Sequence, residues 1–202
     1  SDQYEHCCLV SSLKEPELLR ILLTGATGQL GRALMASAPV EFEVMACDRA
    51  QLNLADVGAS QALVLQQRPD WVLNAAAYTA VDQAELDSHL ANVVNRDAPA
   101  AMAKVIATTG GRMLQISTDF VFDGQQGRPY QPQQPVSPLG VYGASKAAGE
   151  CKVQNILGDR AHVLRTSWLY GPVGSNFLLT MLRLHQAKAA AGEPLAVVAD
   201  QV

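Results

Sequence analysis

The stretch RILLTGATGQLGRALMAS, residues 20–37, decides how the chain is read. A short apolar run stops at Gly25, a loop carries glycines at 25, 28 and 31, and a segment with helical spacing follows. Glycines alone often serve only tight turns. Here a strand-like run precedes them, a helix-like run follows, and Asp48 ends the next apolar run about 20 residues on, which is the setting of a dinucleotide cradle. Gly25 allows a sharp turn, Gly28 lets backbone approach a pyrophosphate, and Gly31 lets the helix pack closely on the sheet. The helix N-terminus then offers free N–H groups to the phosphates.

Working outward, short apolar runs alternate with helical ones. FEVMAC (42–47) reads as a strand, GASQALVLQQ (58–67) as a helix and DWVLN (70–74) as a strand. A long helical stretch runs from about Ala84 to Thr108, and RMLQIS (112–117) and AHVLRTS (161–167) are further strands. A helix opens at Val141 between those two; NFLLTMLRLHQAKAA (176–190) is an amphipathic helix and LAVVA (195–199) a final strand. Strands alternating with helices imply right-handed crossovers and a parallel sheet. Continuously apolar strands suit a sheet covered on both sides. The fold class is therefore α/β, a Rossmann-like doubly wound parallel sheet with helices on both faces, spanning residues 20–202. Residues 1–19 have no clear period and read as a loosely attached extension. The segment DGQQGRPYQPQQPVSPLG (123–140), with four prolines, is a surface loop.

Composition narrows the function. The chain of 202 residues is 49% hydrophobic and 17% charged, an ordinary globular balance. A net charge of -4 argues against nucleic acid or an anionic membrane as partner, since both select a basic face. No apolar run approaches the ~18 residues of a membrane span. Cys7, Cys8, Cys47 and Cys151 form no CxxC pair, and their spacing reads as reduced thiols of a cytoplasmic protein. His6 beside Cys7 and Cys8 has too few neighbouring ligands for a closed zinc site, so no metal is expected.

VYGASKAAGE (141–150) carries the chemistry. Residues four apart share a helical face, so Tyr142 and Lys146 point into one cleft. A lysine cation about 4 Å from the phenol, at an effective dielectric near 20, would favour the phenolate by ~4 kcal/mol, or about three pKa units. That moves a tyrosine toward the range where acid catalysis is efficient. Ser117-Thr118-Asp119 ends a strand, where ligands of open α/β sheets bind. A hydroxyl there can hold a substrate carbonyl, although Thr118 or Asp119 could equally cap a turn. Asn74, Ala75, Ala76, Ala77, Tyr78 and Thr79 end the third strand with small residues where a cofactor would cross.

LLTGATGQLG, NAAAYTAVDQAE, STDFVFDG, SPLGVYGASKAAGE and RTSWLYG together resemble the extended short-chain dehydrogenase/reductase family, and within it the dTDP-4-dehydrorhamnose reductases. The GxxGxxG spacing is the variant used by short-chain dehydrogenases. The resemblance implies NADPH- or NADH-dependent reduction of the 4-keto group of dTDP-4-dehydro-L-rhamnose to dTDP-L-rhamnose. It makes Tyr142 the proton donor, Lys146 the partner of the nicotinamide ribose, and Thr118 the residue that positions the keto oxygen. Gly28, Gln29 and Leu30 would contact the pyrophosphate and Asp48 the adenine ribose. Asn53 and Leu54 would lie near the adenine, with Ala77, Tyr78 and Thr79 along the cofactor track. Asp119 and Trp168 would touch the sugar, although Trp168 equally fits a core aromatic at a strand end. Asp48 favours NADH and Arg49 could attract the 2′-phosphate of NADPH, so dual use is expected. The resemblance allows a homodimer.

The resembling family continues beyond a segment like VVADQV into most of its sugar-nucleotide lobe. The expectation is therefore a complete cofactor domain with an incomplete substrate site. Dehydratases of this fold resemble one another in an Asp-Glu pair after the threonine, whereas Phe120 follows Asp119 here. An epimerase of the same family remains open, as does a non-catalytic role like that of the regulatory subunit of methionine adenosyltransferase.

Overall fold

The computed structural model describes residues 18–174 and 176–197. Five strands, β1 (Leu19–Thr24), β2 (Phe42–Cys47), β3 (Trp71–Asn74), β4 (Arg112–Thr118) and β5 (Ala161–Thr166), form one parallel sheet in the order β2-β1-β3-β4-β5. The helices are α1 (Gln29–Ser37), α2 (Val57–Gln67), α3 (Val81–Leu86), α4 (Ser88–Asn92), α5 (Ala98–Thr109), α6 (Val141–Leu157) and α7 (Phe177–Ala191). The segment 1–17, with His6, Cys7 and Cys8, lies outside the described residues, as do residues 198–199 of the expected last strand. Residues 195–197 stand in no strand.

Side chains alternate across a strand, and the two faces of the sheet are built differently. Leu22, Val72 and Met113 point into the main core, where they meet Val64 of α2, Met102 and Ile106 of α5, and Val153 of α6. Ile21, Leu23 and Leu73 point the other way, toward Leu34 of α1 and Pro39. Helices thus stand on both faces, as expected. At β5 the cover is thinner than a doubly buried strand requires: His162 is exposed and Leu164 is 50% exposed.

The single long helix expected from Ala84 to Thr108 is instead broken twice. Asp87 leaves helical geometry (φ -125°, ψ 55°) and its carboxylate accepts from Leu90 N, so it ends α3 and caps α4. A π turn over Val93–Asp97 then leads into α5, whose Pro99 sits in the first turn where its missing N–H is harmless. At the π turn, α6 comes so close that a Cβ on Gly149 would lie 2.1 Å from Asn95 O.

Among the described residues no helix is long and apolar enough to cross a membrane, and Cys47 and Cys151 are free thiols. Because the Asn95 carbonyl belongs to a packed backbone, Gly149→Ala should cost about 1–3 kcal/mol through overpacking. Urea denaturation will read that as a lowered midpoint. Gly127→Ala, where a Cβ meets nothing within 4 Å, should leave the midpoint in place.

Candidate functional site

A cleft of about 780 Å³ opens at the carboxyl ends of β1, β3 and β4. The strand order changes direction between β1 and β3, and open α/β sheets bind their ligands at such a switch point. Gly25, Gly28, Gln29, Leu30, Gly31, Asn53, Leu54, Ala77, Tyr78, Thr79, Thr118, Asp119, Tyr142, Lys146 and Trp168 all line it.

Asp48 does not line the cleft, and Arg49 does. The Asp48 carboxylate accepts at Oδ1 from Ala50 N and Gln51 N, each at 2.9 Å, which closes a turn within its own loop. Of the two side chains the sequence offered here, Arg49 lines the cleft, and Asp48 keeps its second oxygen out of that turn.

The glycine loop is shaped by close approach. Gly25 has φ 71°, a left-handed conformation that favours glycine, and a Cβ there would lie 2.8 Å from Ala76 N. A Cβ on Gly31 would lie 2.2 Å from Gly25 O. Helix α1 then starts at Gly28 with no side-chain cap and no acidic residue in its first turn. Its leading N–H groups and the positive end of its dipole are directed at the cleft, an arrangement suited to an anion.

At the opposite end, Thr118 donates to Asp119 Oδ1 (3.0 Å) and accepts from Phe120 N (3.2 Å). Ser167 donates to Asp119 Oδ2 at 2.6 Å, so both oxygens of that carboxylate are engaged. Tyr142 is buried among Ala84, Ala91, Tyr78 and Val141, with Phe120 edge-on at 5.6 Å. Burial pushes its phenol above the ordinary value, a hydrogen bond with Thr118 pulls it back in part, and Asp119 adds to the rise. The expectation that Lys146 draws the phenol down is thus not met: Tyr142 is held protonated. Lys146 is 4% exposed and donates to Ile116 O at 2.6 Å. Burial lowers its pKa to about 8, against the opposing pull of Glu150.

Several supporting residues were not found by sequence reasoning. Glu150, one turn beyond Lys146 on α6, is buried and held by Arg165 Nη2 at 2.6 Å and Nε at 3.0 Å. Arg165 also donates to Pro132 O (3.0 Å) and lies over the Phe122 ring. Asn95 accepts from Tyr78 N (2.8 Å) and donates to Tyr78 O and to Ser145 Oγ (3.0 Å each), tying the third-strand loop to α6. Thr24 donates to Asn74 Oδ1 (2.6 Å), Asn74 to Gln115 Oε1 (2.8 Å), and Gln115 to Ile116 O (3.0 Å), the carbonyl that Lys146 also uses. A signal for this last set existed: each member stands two residues after a core residue of an apolar strand. Glu150 and Arg165 come from separate elements and left no such mark.

Known proteins share this arrangement. The family model described as the RmlD substrate binding domain matches residues 19–202. The dTDP-4-dehydrorhamnose reductase of Streptomyces griseus is 42% identical over 183 residues, which cover 90% of this chain and 59% of that protein. That of Burkholderia thailandensis is also 42% identical, with 91% and 60% covered. The crystal structure of dTDP-4-dehydrorhamnose reductase from Bacillus anthracis in complex with NADP superposes with a TM-score of 0.81 at 37% identity, covering 85% of this chain and 61% of that one. The chain therefore spans about three fifths of the length of the curated relatives it matches. The UDP-glucose 4-epimerase of Thermus thermophilus, at 21% identity and a TM-score of 0.71, shares the fold.

The buried ammonium has a consequence for stability. The unfolded chain keeps Lys146 protonated up to its ordinary 10.5, the folded chain only to about 8. Between those values the unfolded state holds the extra proton, so stability rises with pH across that window, and below it the full cost of burying the charge is present. Lys146→Met should therefore raise the unfolding free energy at neutral pH by up to ~3 kcal/mol. Urea melts at a series of pH values will show the gain shrinking from about pH 8 toward 10.5.

Proposed function

The chain belongs to the RmlD substrate binding domain family, and from that premise we propose that it supplies the cofactor site and catalytic groups of an NAD(P)H-dependent reductase. The reaction is reduction of the 4-keto group of dTDP-4-dehydro-L-rhamnose to dTDP-L-rhamnose. The carrying observation is that one cleft joins an uncapped helix N-terminus at a glycine loop to a buried, protonated Tyr142 with Thr118 and Lys146 beside it.

The residues present suit a dinucleotide. The close contacts at Gly25 and Gly31 leave the loop bare of side chains where a pyrophosphate would lie, and the α1 N–H groups are free to bind it. Lys146 would hold the ribose beside the nicotinamide, and Arg49, which lines the same cleft, would meet a 2′-phosphate. A reduced nicotinamide supplies the hydride that goes to the carbonyl carbon. Thr118 orients the keto oxygen, and the Tyr142 hydroxyl gives that oxygen its proton. The tyrosinate left behind is costly in its buried setting, so solvent returns the proton. Phe120 lines the cleft beside Tyr142 and is half exposed, but has no proton to give or take, which disfavours dehydration.

Two measurements test this reading. Tyr142→Phe keeps the ring and removes the proton, so turnover of the 4-keto sugar nucleotide by the polypeptide carrying this sequence should fall ~10²-fold. Calorimetry should meanwhile show NADPH affinity nearly intact, and near-normal turnover in the variant would eliminate Tyr142 as the acid. For cofactor choice, Arg49→Ala should weaken NADPH binding roughly tenfold or more, the scale of a charge-assisted hydrogen bond, and leave NADH little changed. An equal loss for both cofactors would show that Arg49 does not meet the 2′-phosphate.

A further inference from the structure

Gln29 is the first residue of α1, inside the glycine loop, and its side chain is engaged with segments far along the chain. Its Nε2 donates to Leu169 O at 2.8 Å, and its Oε1 accepts from Asn176 Nδ2 at 2.9 Å. Asn176 Nδ2 also donates to Gly171 O (2.9 Å), while Asn176 Oδ1 accepts from Leu179 N (2.9 Å) and so caps α7. One carboxamide from the start of α1 thus fastens main chain and helix cap some 140 residues later. The packing leaves space for it: a Cβ on Gly171 would lie 3.1 Å from Gln29 Cγ, and one on Gly174 3.7 Å from Gln29 Cβ.

What this fastening holds is Trp168. It directly precedes Leu169, lines the cleft, and has φ 51°, a left-handed conformation that bulky residues rarely adopt and that persists only where the surroundings impose it. Its ring is half exposed and rests edge-on against Phe177 at 5.1 Å, the residue next to Asn176. The backbone after Trp168 and the aromatic under its ring are therefore both anchored through Gln29.

From this geometry we infer that Gln29 is a positioning residue for Trp168: its backbone belongs to the dinucleotide loop, its side chain sets the tryptophan wall, and whatever steadies the loop steadies the wall. The link to cofactor and sugar rests on the proposed function. The clamp itself does not.

Two variants separate these levels. Gln29→Met removes both hydrogen bonds at nearly constant length. Asn176→Asp keeps the oxygen that caps α7, removes the donor, and sets a carboxylate against Gln29 Oε1. Hydrogen exchange by mass spectrometry on peptides covering residues 169–174 should accelerate by roughly fivefold in each variant, the equilibrium weight of one hydrogen bond, with exchange in the strands unchanged. In the parent protein NADPH should slow exchange over 169–174. In both variants that protection should be mostly lost although calorimetry still detects NADPH binding, which a purely structural clip would not produce. Unchanged exchange in the ligand-free variants, or cofactor protection that survives in them, overturns the inference. If the parent protein binds no NADPH, the proposed function fails, and the ligand-free exchange still decides whether Gln29 holds the segment.

Discussion

The structure is organised around one buried cation. Lys146 lies on the inner side of α6, and an ammonium taken from water is tolerated only when its charge and its protons are both answered. Ile116 O answers one proton at 2.6 Å, and Glu150 supplies the opposite charge one turn along the helix. Glu150 is buried in its turn and is held by Arg165 from β5. Arg165 spends its remaining reach on Pro132 O and the Phe122 ring, and Phe122 stacks on Tyr130 at 4.2 Å. The proline-rich loop after β4 is therefore fastened to α6 through Arg165, by its ion pair with Glu150, its bond to Pro132 O and its contact with the Phe122 ring.

The same carbonyl ends a second chain. Strand register sets Thr24 beside Asn74 and Asn74 beside Gln115, one step toward the cleft from the apolar row Leu22, Val72 and Met113. Each polar side chain donates to the next in one direction, beginning with Ala76 N to Thr24 Oγ1 at 3.3 Å and ending at Ile116 O. A polar layer so deep would destabilise the sheet if any member were unpaired; satisfied head to tail, its bonds reinforce one another. Because the members come from β1, β3 and β4, they hold at fixed spacing the three strand ends that carry the glycine loop, the alanine loop and Thr118. The next residue on that face, Ser117, has a buried hydroxyl with no partner, and it lines the cleft.

Legibility in the sequence followed the range of the interaction. The five strands of the sheet and most helices were readable because apolar period and glycine position are local properties, and the glycine loop was readable because the close approaches at Gly25 and Gly31 need glycine. The break at Asp87 and the π turn were not, since α3, α4 and α5 are shaped by packing against α6 and leave an almost continuous helical pattern. Asp48 stands at the spacing the positional rule asks for, one of its oxygens closes a turn in its own loop, and its neighbour Arg49 lines the cleft. Gln29 shows the reverse, a residue picked out for its backbone whose side chain is engaged with segments far along the chain. The direction of the Tyr142 shift was misjudged because charge attraction was weighed without burial, and burial is the larger cause.

The ionisable groups lining the cleft are Arg49, Tyr78, Asp119, Tyr142 and Lys146. Asp119 accepts from Thr118 at one oxygen and Ser167 at the other, so each oxygen holds a neighbouring hydroxyl. Lys146 gives a proton to a main-chain carbonyl and acts as a fixed charge while the pH stays below about 8. Tyr142 is left as the buried acid beside the strand-end hydroxyl. Elimination of water needs a base to take a proton from carbon as well as an acid for the leaving oxygen, and Phe120, which lines the cleft edge-on to Tyr142, can be neither. Ketone reduction needs one proton delivered to one oxygen, with the remaining bond to hydrogen supplied by a cofactor. A site with one protonated phenol, one strand-end hydroxyl and one fixed cation meets that smaller requirement, which is why the residues favour reduction over dehydration.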